Sequence, residues 1–242
     1  MPHFYINPSQ IANGRFTLSG DEAHHLLRVL RVKPGEHIAL FDGEGRQYSA
    51  LIERADSRSI EGIIESQITA LPPLINVHLY CCVPKGGRFD WLVEKCAEIG
   101  VSAITPIISG RSAFVDITDE KINRWRRLSL SAGKQCGRAQ IMPINSCLNF
   151  NDALRLLPPA SIGLLPWEGE ESTAINDTSV KAGSLVAVFI GPEGGFSTQE
   201  VDSARYANVL PVTLGQSILR VETAAIIASV IVLNAAGQFS GK

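Results

Sequence analysis

The chain lacks the paired Cys-x-x-Cys spacing of a zinc ribbon. Its five cysteines, Cys81, Cys82, Cys96, Cys136 and Cys147, are odd in number and scattered. Such an arrangement indicates neither a metal ribbon nor a disulfide framework, and reduced cysteine among apolar neighbours is the expectation. Positive charge is not in excess either. The 22 Lys and Arg stand against 24 Asp and Glu, for a net charge of −2. A nucleic-acid partner would therefore have to be met by a local patch, not by the field of the whole molecule. No apolar helix candidate reaches the ~20 residues of a membrane span, the most apolar one covering 221–236. The start, Met1-Pro-His-Phe-Tyr-Ile6, has no basic and then apolar stretch, so no secretory leader is expected and the cytoplasm is the expected compartment. There is no Gly-Lys-Ser/Thr after a glycine loop and no G-x-G-x-x-G after the first strand beyond Pro73, which sets aside the phosphate loop of ATPases and the dinucleotide fingerprint. His24 and His25 have no cysteine or carboxylate partners at ligand spacing, so no metal is expected. Internal repeats and low-complexity tracts are absent too.

What is present reads as a globular α/β protein, with 45% hydrophobic and 19% charged residues. Pro72-Pro73 continues neither a helix nor a central strand and predicts a domain boundary, with domains 1–70 and 71–242. Before it, short apolar runs (37–41, 47–52, 59–64) alternate with turn signals at Lys33-Pro-Gly-Glu36, Asp42-Gly-Glu-Gly45 and Asp56-Ser-Arg-Ser59. That spacing predicts a small β-barrel, interrupted by one helix over 21–30. After Pro73 the pattern alternates. A strand over 75–83 precedes a helix marked by Phe89, Leu92, Val93, Cys96 and Ile99 and stopped by Gly100. A strand over 102–108 follows, whose Pro106 suggests an edge or strand end. A helix capped by Thr118 runs towards Cys136, and a third strand covers 161–165. Strands separated by helices predict a mostly parallel sheet covered on both faces.

The most informative stretch is Ile190-Gly191-Pro192-Glu193-Gly194-Gly195-Phe196. A β-branched apolar strand runs into it from Ser184, and Ser197-Thr-Gln-Glu200 behind it can cap a helix. Strand, glycine loop and helix start bring backbone N–H groups close to a ligand. A second loop, Leu214-Gly215-Gln216-Ser217-Ile218-Leu219-Arg220, leads into Val221-Glu222-Thr223-Ala224 and a long apolar helix. Two such loops on successive strands mark one site at the edge of an α/β sheet. Alone, Gly-Pro-Glu-Gly-Gly would be a sharp turn between packed elements.

Together the two loops resemble the RsmE family of the SPOUT superfamily, RNA methyltransferases that modify N3 of one uridine in 16S ribosomal RNA. Further matching stretches are Val93-Glu-Lys-Cys-Ala-Glu-Ile-Gly-Val101, Pro106 with Gly110-Arg-Ser112, Lys134-Gln-Cys-Gly-Arg138 with Pro143, and His25-Leu-Leu-Arg-Val-Leu-Arg31 with Phe41-Asp-Gly43. The resemblance covers nearly the whole chain in order, with one departure: Gly110 stands where Glu is expected. It implies a SPOUT fold with a C-terminal trefoil knot, S-adenosylmethionine as methyl donor, a homodimer, and an N-terminal PUA-like RNA-binding barrel. Simple topology rules would have rejected a knot.

The expected cofactor contacts are Leu165 and Pro166 at the end of the third strand, Gly191, Pro192, Glu193, Gly194 and Gly195 in the first loop, and Leu214, Gly215, Ile218, Leu219, Thr223 and Ala224 in and after the second. Trp167 reads equally as an adenine neighbour or a packed loop base. Glu193 would bind a ligand hydroxyl or cap the next helix. Arg220 and Glu222 are the catalytic candidates. Charge develops on the uracil carbonyls as N3 loses its proton, and a guanidinium can stabilise it. With a pKa above ~12 it is no general base. Glu222 is a candidate base or, preferably, a partner holding Arg220. Arg28 and Arg31 on the barrel, and Arg111, Arg124, Arg127, Lys134 and Arg138 beyond it, are the candidate RNA contacts. The final helix is expected to be covered all round, shared between the core and a subunit interface. A methyltransferase acting on another RNA base or ribose, or an RNA-binding module without catalysis, are the alternatives, separated by product analysis and cofactor binding.

Overall fold

The computed structural model describes residues 3–113 and 116–240. The chain divides into two compact units, residues 1–72 with 133–141, and residues 73–132 with 142–242.

The first unit contains β1 (His3–Tyr5), β2 (Ile11–Ala12), β3 (Arg15–Ser19), α1 (Asp21–His25) continued by a wide helical turn over Leu26–Leu30, β4 (His37–Phe41), β5 (Arg46–Ala55) and β6 (Ser59–Thr69). The strands form one curled sheet in the order β1-β4-β5-β6-β3-β2. Its core follows the period of two along each strand, with Phe16 and Leu18 from β3 and Tyr48, Ala50 and Ile52 from β5 turned inward. The polar turns are built as their sequences require. Asp56 accepts the N–H groups of Arg58 and Ser59, both at 3.0 Å. The buried Asp42 accepts from the N–H of Glu44 and Arg46 and the hydroxyl of Tyr48. Segment 133–141, from the middle of the chain, is held to this same turn, since Gly45 N–H donates to the Ala139 carbonyl and Ile141 N–H to that of Gly43.

The second unit carries β7 (Asn76–Cys82), α2 (Arg88–Ile99), β8 (Ala103–Ile108), α3 (Asp119–Gln135, within this unit to Ala132), β9 (Leu148–Asn149), α4 (Phe150–Arg155), β10 (Ile162–Pro166), β11 (Leu185–Ile190), α5 (Thr198–Tyr206), β12 (Val209–Val212) and α6 (Val221–Ala235). All six strands pair in parallel, in the order β12-β10-β11-β7-β8-β9. Both faces are covered. On β7, Val77, Leu79 and Cys81 join a core with α2, α3 and α6, while Tyr80 and Cys82 join one with α4 and α5. That is why β11 reads Leu-Val-Ala-Val-Phe-Ile without a polar position.

Two expectations need correction. Pro106 lies not on the edge strand but one strand in, between β7 and the two-residue β9. Ile104 sends its N–H outward to the Pro143 carbonyl. Pro106, two residues on, turns the same way, so its missing N–H falls where no partner strand runs. Cys136 is exposed beyond the last turn of α3 and not among apolar residues. Within this chain α6 has the expected core face and a less covered one. Val221, Ala225, Ala228, Val232 and Leu233 are buried, whereas Ile227, Val230 and Ile231 are half-buried.

Candidate functional site

Because β11 and β12 flank β10 in the sheet, the loops that leave all three strands meet at one end. They enclose a cavity of about 880 Å³, in the range of small-molecule sites. Its wall includes Pro166 and Trp167 from β10's end, Gly191, Pro192, Glu193, Gly194 and Gly195 from the first loop, Leu214, Gly215, Ile218, Leu219 and Arg220 from the second, and Ala224 from α6. Leu165 lies beneath, fully buried among apolar side chains. Thr223, half-buried on α6, is not part of the wall. The wall also takes in Glu168, Glu170 and Glu171, which the sequence argument passed over because they sit in an irregular stretch after β10.

The first loop is tied on every side. Ser197 caps α5 with a full capping box, its hydroxyl accepting from Glu200 N–H and the Glu200 carboxylate accepting from Ser197 N–H. The other oxygen of Glu200 accepts the Gly110 N–H at 2.8 Å. Arg111, expected to face RNA, donates instead to the Gly194 carbonyl at 2.8 Å. Glu193 accepts the Lys85 N–H at 2.9 Å, so it neither caps α5 nor stands free. Desolvation opposes its charge, but that N–H and the nearby Arg88 and Lys85 charges hold its carboxyl below the usual range. Gly195 sits at φ +65°, and a Cβ there would run into the Glu168 carboxylate. The left-handed φ favours glycine, whereas the exposed Glu168 side chain can swing away from a Cβ.

The second loop has little of this. Its ties are a Thr213 hydroxyl bond to Gly215 N–H at 3.2 Å and a longer one to the Gly215 carbonyl. Ile218 is 90% exposed. Arg220, the N-cap residue of α6, is exposed on the cavity wall. Glu222 is placed differently from expectation. It is buried, outside the cavity wall, and its cation is Arg88 at 3.5 Å, not Arg220. The first turn of α6 carries it inward, towards α2.

Three of the expected RNA cations are already engaged. Arg124 pairs with Asp90, Lys134 with Glu22, and Arg111 with Gly194. Arg28, Arg31 and Arg127 are exposed and Arg138 is half-buried. A free phosphate-binding face over 121–138 is thus narrower than the sequence suggests.

A parallel α/β sheet with a cavity at its strand ends, in a chain that also carries a separate curled β unit, suits a cofactor-dependent modifying enzyme. Residues 71–233 match the family described as RNA methyltransferase domain, and residues 18–65 the RNA methyltransferase PUA domain. The ribosomal RNA small subunit methyltransferase E of Mycobacterium tuberculosis is 30% identical over 232 residues, covering 93% of this chain and 88% of that protein. The corresponding protein of Synechocystis is 29% identical, covering 92% and 74%. Among solved structures, a ribosomal RNA small subunit methyltransferase E from Neisseria gonorrhoeae bound to S-adenosyl methionine is 30% identical with a TM-score of 0.81, covering 95% of each chain. A probable rRNA-methyltransferase from Porphyromonas gingivalis is 32% identical with a TM-score of 0.88, covering 99% of this chain and 100% of that one. The chain belongs to the ribosomal RNA small subunit methyltransferase E family of RNA methyltransferases.

Proposed function

We propose that this protein transfers a methyl group from S-adenosylmethionine to N3 of one uridine in 16S ribosomal RNA. The observation that carries the reading is the cavity at the ends of β10, β11 and β12, with Arg220 on its wall. The cavity suits the donor. It offers the backbone of two glycine loops, apolar surface from Trp167, Leu214 and Ile218, and carboxylates that favour a cationic ligand. Bound there, the donor would supply an electrophilic methyl carbon.

The protein's own part is positioning and charge stabilisation. The first loop and Pro166 hold the donor. Arg220 faces the charge that grows on a uracil carbonyl as N3 gives up its proton. Glu222, buried and paired with Arg88, is left without the role of base. The N-terminal unit, with Arg28 and Arg31, would grip the RNA. The enzyme would act in the cytoplasm as a homodimer joined through the uncovered face of α6, where Val230, Ile231 and Asn176 line a second hollow. The trefoil knot of its family would fold the three loops together. No helix among the described residues is long and apolar enough to cross a membrane.

The test is direct. Purified protein, S-adenosylmethionine and 16S RNA or small subunits should yield N3-methyluridine by nucleoside mass spectrometry. A different methylated nucleoside would move the target to another base or ribose. No donor binding by calorimetry would remove the catalytic reading.

A further inference from the structure

Glu222 is 7% exposed, and one of its carboxylate oxygens is buried without any hydrogen-bond partner. The other faces Arg88 Nη1 at 3.5 Å. A buried carboxylate with so little compensation is costly, and its one nearby guanidinium then matters greatly. Arg88 is the first residue of α2, directly after Pro84-Lys85-Gly86-Gly87, and Glu222 is in the first turn of α6, directly after Arg220. Because β7 lies beside β11 in the sheet, the 84–87 loop also neighbours the first glycine loop, and its Lys85 N–H is the donor that Glu193 accepts.

We infer that Arg88 is a positioning residue of the cofactor site. Its pair with Glu222 locks the β7–α2 loop to the start of α6, and the Lys85–Glu193 bond passes that lock to the glycine loop. The two cavity loops are thereby set relative to one another by a third loop, distant in sequence and absent from the cavity wall. The charged and titratable groups around Glu222 are few. Arg88 comes from α2 and Arg220 precedes it at the helix start. Cys81 comes from β7, a thiol pushed well up by burial and further by Cys82, Cys96 and Glu222. Beyond Arg88 stand Glu193 and Lys85.

The inference rests on the cavity binding S-adenosylmethionine, and a double-mutant cycle separates the two. Arg88→Met leaves Glu222 buried and without its cation, a costly arrangement. Ligand-free Arg88→Met should therefore melt below wild type. Its S-adenosylmethionine affinity should fall on the order of tenfold. Glu222→Gln added to Arg88→Met should restore most of both losses, because no charge remains to be buried. Arg88→Lys, which keeps the charge, should retain an intermediate affinity. If the double variant is as impaired as Arg88→Met, Arg88 merely packs and the lock is refuted. If Arg88→Met does not fold, recovery of folding and binding in the double variant supports the lock, and continued failure refutes it. Loss of binding in the wild type itself would strike the cofactor reading instead.

Discussion

The two loops that wall the cavity are built on opposite plans. The first, 191–196, is tied by Arg111 and Glu193 to two other segments, 110–111 and 84–87, and its Phe196 is buried. The second, 214–220, is tied mainly to itself, and holds its one isoleucine out to solvent. A loop fixed by charged hydrogen bonds before a ligand arrives spares the ligand the entropy of ordering it. A loop with few ties is free to be ordered by what binds. Under the proposed function, the first loop would hold the donor and the second, with Arg220, would meet the RNA base.

The largest effect that would sharpen this division is at Arg220. Arg220→Ala should slow single-turnover methyl transfer on the order of a hundredfold at saturating donor and RNA, the usual loss for one preorganised donor. Arg220→Lys should recover little, since an ammonium lacks the planar fork. A near wild-type rate would make Arg220 structural. Within the first loop, Gly195→Ala forces a strained φ of +65°, so donor affinity should drop about tenfold by calorimetry. Gly194→Ala places its Cβ 3.5 Å from Arg111, an ordinary contact, and should stay within about twofold. Equal losses at the two glycines would break the argument from Gly195's geometry.

Smaller effects test the ties themselves. Glu200→Ala removes a capping box and the Gly110 bond, and should cost about 1–2 kcal/mol in a denaturant titration. The Glu193 tie has a sign in pH. Its carboxyl is held below the usual range, so its contribution is complete above that range and fades as pH falls through the lowered value. Glu193→Gln should flatten this acid limb in thermal melts, and an unchanged limb would mean that other carboxylates produce it. At the far end, Ile218→Ser in the second loop should change stability by less than about 0.5 kcal/mol.

Much of this was legible in the sequence because it is local. The strand before Gly191, the capping box at Ser197 and Glu200, and the stop at Gly100 each depend on residues within a few positions. What was not legible depends on strand order. Pro84-Lys-Gly-Gly87 reads as a plain turn until β7 is found beside β11, which brings Lys85 to Glu193. Glu222 sits two residues from Arg220 along the chain, yet the helix turns it inward to Arg88, 134 positions away. The basic run over 121–138 looks like a phosphate surface, and the acids that engage it, Glu22 and Asp90, come from distant parts of the sequence. Charge runs announce their sign and not their partners.

The division of labour between the loops is tested most directly by amide hydrogen exchange, with and without S-adenosylmethionine. In the free protein, peptides covering 192–200 should already be protected, and peptides covering 214–220 should exchange near the unprotected rate. Donor should change the first set little, and the second set should gain its main protection when donor and RNA are both present. Equal exchange in both loops of the free protein, or protection of the first loop only after donor is added, would contradict the account.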